Sequence, residues 1–262
     1  HLSIRRQRQM CIRDRYGELW HRAFIVAVDS PHVNYILSCG HNGDAAAGVA
    51  GIWRHADARV RGMKRVQVEP HQSVTGGVAA EWIPIKPKTD AAFLYGVIYR
   101  IVIEQNWRDI CDVERLEQDT NSPYLIGPNG FWMRDPKTEK PLIFDLNKKK
   151  SRPFDEEVKN PGMEGEFIVS GIEIGADEDR WVHKNIKVKT SFQKFIDHMR
   201  EYTPEWAEKH SDVPAKTIRK VADEFIENAC IGQTIEVEGE EMPYRPVAIL
   251  SVSYTHLRAH ET

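Results

Sequence analysis

Cysteine is scarce in this chain, with four in 262 residues. Three of them, Cys39, Cys111 and Cys230, lie far apart and are odd in number. They offer neither a disulfide framework nor a Cys-x-x-Cys metal site. Long apolar runs are missing as well. None approaches the roughly 20 residues that cross a bilayer as a helix, so this segment is not expected to insert in a membrane. Positive charge is not in excess either, with 36 Lys and Arg against 39 Asp and Glu. Nucleic acids and anionic membranes call for a basic surface, so neither is expected as a partner. The Gly-x-Gly-x-x-Gly fingerprint, the phosphate loop closing in Gly-Lys-Ser/Thr and the Gly-x-Ser-x-Gly nucleophile elbow are all absent. Cys39 and His41 stand two apart while His55 and His71 are scattered, so no spacing assembles a zinc site. Asp177-Glu178-Asp179 lacks the glycine and length of a calcium loop.

The two ends have a character of their own. Residues 1–15 (HLSIRRQRQMCIRDR) and the closing run VSYTHLRAHET resemble the paired translated adapters of transposon-based DNA library preparation. Segments of that kind do not belong to a fold. Residues 1–15 and 251–262 are therefore read as non-native, with Ser251 a hybrid codon, and 16–250 as the natural protein. A basic targeting arm is the other reading of the first segment, but it leaves the C-terminal match unexplained. Setting both ends aside leaves 30 basic residues against 37 acidic ones, and the net charge moves from −3 to −7. About 235 residues remain, enough for one large α/β domain or two small ones.

Periodicity orders what is left. Residues 16–28 carry apolar side chains at helical spacing until Asp29-Ser30-Pro31 breaks the pattern. Tyr35-Ile36-Leu37-Ser38 is β-prone and ends in the small-residue turn Cys39-Gly40-His41-Asn42-Gly43. Asp44 can then cap a helix to about Arg61, closed by Gly62. Residues 63–68 form the next strand, ending at Glu69-Pro70, which completes one βαβ unit of a parallel sheet. A short strand over 81–85 precedes a helix capped by Thr89 that runs to about Gln105, and a second helix spans 108–118. Past Thr120, turn residues separate brief β runs through the 121–190 stretch, with Lys148-Lys149-Lys150 read as a solvated turn. Helical spacing returns over 191–201, after Thr203-Pro204, and over 214–228, and β-like runs around Gly239 finish the chain. The fold class is α/β: a Rossmann-like parallel sheet region (16–120), an inserted lobe of short β-hairpins (121–190), and a helical segment with terminal strands (191–250).

The turn after the first strand is where a nucleotide phosphate docks in such a fold, because backbone N–H groups at a helix start attract anions and glycine lets them approach. Gly40, Asn42 and Gly43 stand there, although any parallel α/β domain needs a tight turn at this place and Asp44 argues against an anion beside it. Glu69, at the tip of the next strand, suits a ribose hydroxyl. It equally suits a loop cap.

The stretch Trp82-Ile83-Pro84-Ile85-Lys86-Pro87-Lys88-Thr89-Asp90-Ala91-Ala92 resembles the Trp-Leu-Pro-Ile-Arg-Pro-Gly-Thr-Asp-Ala-Ala motif of molybdopterin oxidoreductases of the dimethyl sulfoxide reductase superfamily. It follows VQVEPHQSVTGGVAA, which looks like their strand ending in Asp-Pro-Arg, and residues 202–225 resemble the helical segment after their inserted region. The resemblance implies a region (16–120) that binds the guanosine end of a bis(molybdopterin guanine dinucleotide) carrying molybdenum or tungsten. By position, Asp90 then binds guanine, Glu69 stands for the usual aspartate, and Gly40 and Asn42 match the Gly-x-Asn turn. Glu69 for Asp and His71 for Arg lengthen one anion and remove a permanent cation, while Lys88 replaces the usual glycine and can supply a phosphate contact. The implied parent is the catalytic subunit of an oxidoreductase that moves electrons between a small-molecule substrate and an iron–sulfur electron-transfer subunit. Its metal ligand and iron–sulfur cysteines are expected upstream of residue 16, and its compartment stays open between prokaryotic cytoplasm and periplasm. Three other readings remain: a hydratase or transhydroxylase of the same superfamily, a nicotinamide-dependent Rossmann dehydrogenase with a degenerate fingerprint, and a non-catalytic relative that has lost the cofactor.

Overall fold

An unbroken apolar stretch places the first strand. In the computed structural model, which describes residues 28–46 and 48–251, β1 (Tyr35–Cys39) is buried at every position, as a strand covered on both faces must be. The terminal segments 1–15 and 252–262 lie outside the described residues, as does the helix expected over 16–28 apart from Val28. Two units make up the described chain. The first takes in 28–83 and 245–251, the second 84–244.

In the first unit β1 is followed by α1 (Gly43–Ala46), α2 (Gly48–Val60), β2 (Lys64–Glu69), α3 (Val74–Val78) and β3 (Glu81–Pro84). Both described pieces, Gly43–Ala46 and Gly48–Val60, fall where the helix over 44–61 was expected. Asp44 is no side-chain cap, because tertiary contacts claim it: its N–H donates to Thr75 Oγ1 at 2.9 Å and its carboxylate meets Arg65 at 3.0 Å. Gly62, at φ +101°, ends the crossover as expected. The strands run in the order 247–251, β1, β2, β3, and both neighbours of β1 are parallel to it. Register pairs Ile36 with Arg65 and Ser38 with Gln67, which puts those four side chains on one face. On that face Ile36 joins Val33, Ala58 and Met63 in a core, with Val28, Ala248 and Leu250 packed against it.

The second unit opens with α4 (Asp90–Tyr99), which runs on as a π-helical turn over Arg100–Glu104. Two short helices, α5 (Trp107–Ile110) and α6 (Val113–Gln118), replace the one expected over 108–118. The β-rich stretch follows, with β4 (Leu125–Ile126), β5 (Leu142–Asp145), β6 (Lys150–Pro153), β7 (Glu166–Ile174) and β8 (Arg180–Thr190). These form a β4-β8-β7 sheet and a β5–β6 hairpin, all antiparallel. Leu125, Met133, Leu142, Val169 and Val188 give the lobe its own core. Inside it Glu173, fully buried, accepts from the Asn129 and Phe131 backbone N–H groups and lies 2.7 Å from His183 Nε2. The helices α7 (Ser191–Met199) and α8 (Pro204–Ser211) are each capped by a threonine, Thr190 and Thr203, that accepts from the third residue on. With α9 (Ala215–Asn228), α8 packs on α4 at Gly96. A Cβ there would stand 2.8 Å from Ala207 Cβ and 3.0 Å from Ile218 Cγ2. The exposed hairpin β9 (Thr234–Val237) and β10 (Glu240–Pro243) turns at Glu238-Gly239, both at positive φ.

Candidate functional site

Parallel sheets bind ligands beyond the carboxyl ends of their strands, where the winding direction reverses. In the first unit β1 leads by its crossover to β2 on one side, while the strand Val247–Ser251 lies on the other. The reversal therefore falls at the end of β1, above the turn 40–43. Gly40 takes φ +63° and donates its N–H to Val68 O at 2.9 Å, so it ties the turn to β2 and offers no free donor. The next three backbone N–H groups, of His41, Asn42 and Gly43, have no partner among the described residues. Successive unpaired amides of this kind suit an anion.

The side chains around the turn face inward and fix it. Asn42 Oδ1 accepts from Thr75 Oγ1 at 3.0 Å and from Thr75 N at 3.3 Å. Glu69 is 4% exposed; Oε1 accepts from Ser73 N at 2.7 Å and Oε2 from Gln67 Nε2 at 3.0 Å. A Cβ on Gly76 would come within 2.5 Å of that Oε1. In this conformation Glu69 holds the loop 70–73 and does not face solvent. His71 is exposed.

Beneath the turn lies a buried charge that the sequence did not single out. Arg65 projects from the middle of β2, its side chain wholly inaccessible, with Nη1 3.0 Å from Asp44 Oδ2, 3.4 Å from His55 Nδ1, and Nη2 3.4 Å from Ser38 Oγ. Arg59 adds a second cation at 4.0 Å from Asp44. Burial pushes His41 and His55 below the usual histidine range, and the Arg65 charge pushes both further. Burial also lowers Arg65 itself, against the pull of Asp44. Arg65 Nε, Asp44 Oδ1 and Gln67 Oε1 are buried without a hydrogen bond.

Lys88 and Asp90 belong to the second unit. Lys88 is exposed and left-handed, at φ +68°. Thr89 precedes α4 without capping it; its hydroxyl donates to Lys86 O at 2.6 Å. Asp90 stands in the first turn of α4, half-buried, and its carboxylate has no hydrogen bond or ion pair among the described residues. No group of three or more His, Cys, Asp or Glu among the described residues could hold a metal ion, and no described helix is long and apolar enough to cross a membrane.

No family model matches the chain. Curated relatives do. A sulfite dehydrogenase subunit of Allochromatium vinosum is 31% identical over 175 residues, covering 63% of this chain and 17% of the relative. The alpha subunit of the Dechloromonas aromatica perchlorate reductase is 24% identical, covering 65% of this chain and 21% of the relative. The molybdopterin-containing subunit of the Salmonella typhimurium thiosulfate reductase is 31% identical over 90 residues, covering 34% and 12%. The chain thus spans about a fifth or less of the length of these relatives. Among solved structures, acetylene hydratase from Pelobacter acetylenicus overlays on 92% of this chain and 21% of its own, with a TM-score of 0.47 at 16% identity.

Proposed function

This chain belongs to the molybdopterin oxidoreductases of the dimethyl sulfoxide reductase superfamily, and from that premise we propose that it holds the guanosine end of a molybdopterin guanine dinucleotide in a catalytic subunit. The observation that carries the reading is Asp90: a half-buried carboxylate at the head of a ten-residue helix, without a hydrogen-bond or ion-pair partner among the described residues, inside the most specific motif of the sequence. Guanine presents a ring N–H and an exocyclic amino group side by side, and one carboxylate accepts from both. Adenine and cytosine offer no such pair of donors.

The first unit, taken by itself, suits phosphate groups. The free amides of His41, Asn42 and Gly43 meet the phosphates, with Asn42 and Thr75 locking the turn from inside. Gly40 contributes its left-handed backbone, and in the second unit, by itself, the exposed Lys88 ammonium suits a phosphate. Glu69 acts on the ribose side through the loop 70–73 that it holds. The molybdenum or tungsten centre of the bound cofactor supplies the redox chemistry, and the protein positions it. Electrons pass in this reading between a small-molecule substrate and an iron–sulfur subunit of the parent complex.

Charge-assisted hydrogen bonds contribute on the order of 1.5–3 kcal/mol each, so Asp90→Asn in the full-length protein is expected to lower cofactor retention at least about tenfold. If Asp90 only favours the first turn of α4, a role worth about 0.3–1 kcal/mol, the substitution lowers the melting temperature slightly and leaves nucleotide content alone. Guanine nucleotide released from equal amounts of protein separates the two. Equal content in wild type and variant ends the proposal.

A further inference from the structure

An acidic side chain directly after a phosphate turn repels the phosphate, and Asp44 stands at that place. The structure deals with it from below. Asp44 is turned inward until its carboxylate is 5% exposed, with Arg65 at 3.0 Å, His55 at 3.9 Å and Arg59 at 4.0 Å. The guanidinium lies immediately under the turn: a Cβ on Gly43 would stand 3.5 Å from Arg65 Nη2. Arg65 keeps one donor, Nε, buried and unused. Buried ion pairs can often be replaced by apolar side chains without loss of stability, so stability by itself gives little reason for an arginine in the middle of β2.

We propose that Arg65 is a positioning residue for the phosphate turn: it draws the Asp44 carboxylate beneath residues 41–43 and cancels its charge there, leaving the three free amides fit for a phosphate. The inference rests on the nucleotide reading above.

The test uses the full-length protein freed of cofactor, with guanosine diphosphate as probe and guanosine, which lacks the phosphates, as control. Arg65→Met leaves Asp44 charged and uncompensated, and is expected to weaken guanosine diphosphate binding at least about tenfold. Asp44→Asn leaves Arg65 in surplus, and is expected to tighten it at least about threefold. The double variant returns to within about threefold of wild type, because the two charges act on the phosphate with opposite sign and removing both lets their effects cancel. Guanosine binding changes in none of them. A purely structural pair lowers the melting temperature in both single variants and leaves the ratio of guanosine diphosphate to guanosine affinity unchanged; that result, or weaker binding by Asp44→Asn, overturns the inference. Should Arg65→Met fail to fold, Asp44→Asn and the double variant decide by the same signs. Wild-type protein that neither releases guanine nucleotide when purified nor binds guanosine diphosphate rejects the nucleotide reading itself, an outcome distinct from either of these.

Discussion

Lys88 holds a backbone conformation that suits glycine, at φ +68°. A side chain there costs on the order of 1 kcal/mol. The motif this stretch resembles has glycine at this position, the residue that the left-handed backbone favours. Lys88→Gly in the full-length protein is expected to raise stability by about 0.5–1 kcal/mol and, if the ammonium meets a phosphate, to lower nucleotide retention about threefold. A variant that gains stability and keeps all its nucleotide removes Lys88 from the contact set. The positions of Gly40, Asn42 and Asp90 were legible in the sequence, in a turn after a strand and at a helix start. The direction of a side chain was not: Glu69 and Asn42 stand where the pattern put them yet face inward. Arg65 was missed for a related reason. Arg65, Gln67 and Glu69 alternate with Val66 and Val68, the pattern of a strand with one wet face, whereas in the fold all five are buried. What covers the polar row is α1 and α3, brought in by tertiary contacts that no window of sequence contains.

At the scale of elements the strands fall where they were expected, whereas the two caps expected, Asp44 and Thr89, do not cap: the first is claimed by tertiary contacts and the second turns its hydroxyl to Lys86 O. Thr190 and Thr203 cap where hydroxyl-plus-three spacing says they should, and the parallel pairing of β1 with β2 follows from one crossover helix segment between them. The π-helical turn after α4 was not visible, since its apolar residues still recur at ordinary helical spacing. A network of long-range charges accompanies it. Arg219 of α9 donates to Glu104 at 2.6 Å and 2.9 Å, and Arg100 reaches both Glu104 and Asp223. Hydrogen bonding to Arg219 holds the Glu104 carboxyl below the usual glutamate range, helped by Arg100. A depressed carboxyl contributes stability above its unfolded value of about 4.3 and loses it as pH falls through the folded one. The partners are partly solvated, so the contribution is on the order of 1 kcal/mol. Thermal melts of wild type and Arg219→Met should therefore differ most near pH 7 and converge as the pH drops below about 4. A gap that widens in acid contradicts the assignment.

At the scale of the molecule, the chain spans 17% of its sulfite dehydrogenase relative and 21% of its perchlorate reductase relative. The described residues include no metal-binding cluster. A consequence lies in the strand order. The edge of β1 that accepts residues 247–251 belongs to the beginning of the described chain, while its partner comes at the end, after the whole second unit. On a ribosome adding roughly 5–20 residues per second, β1 can pair with β2 almost at once, but its other side waits some ten seconds or more with its hydrogen-bonding groups unsealed. During that interval this edge of β1 stays open, and it closes only when residues 247–251 have followed the whole second unit off the ribosome.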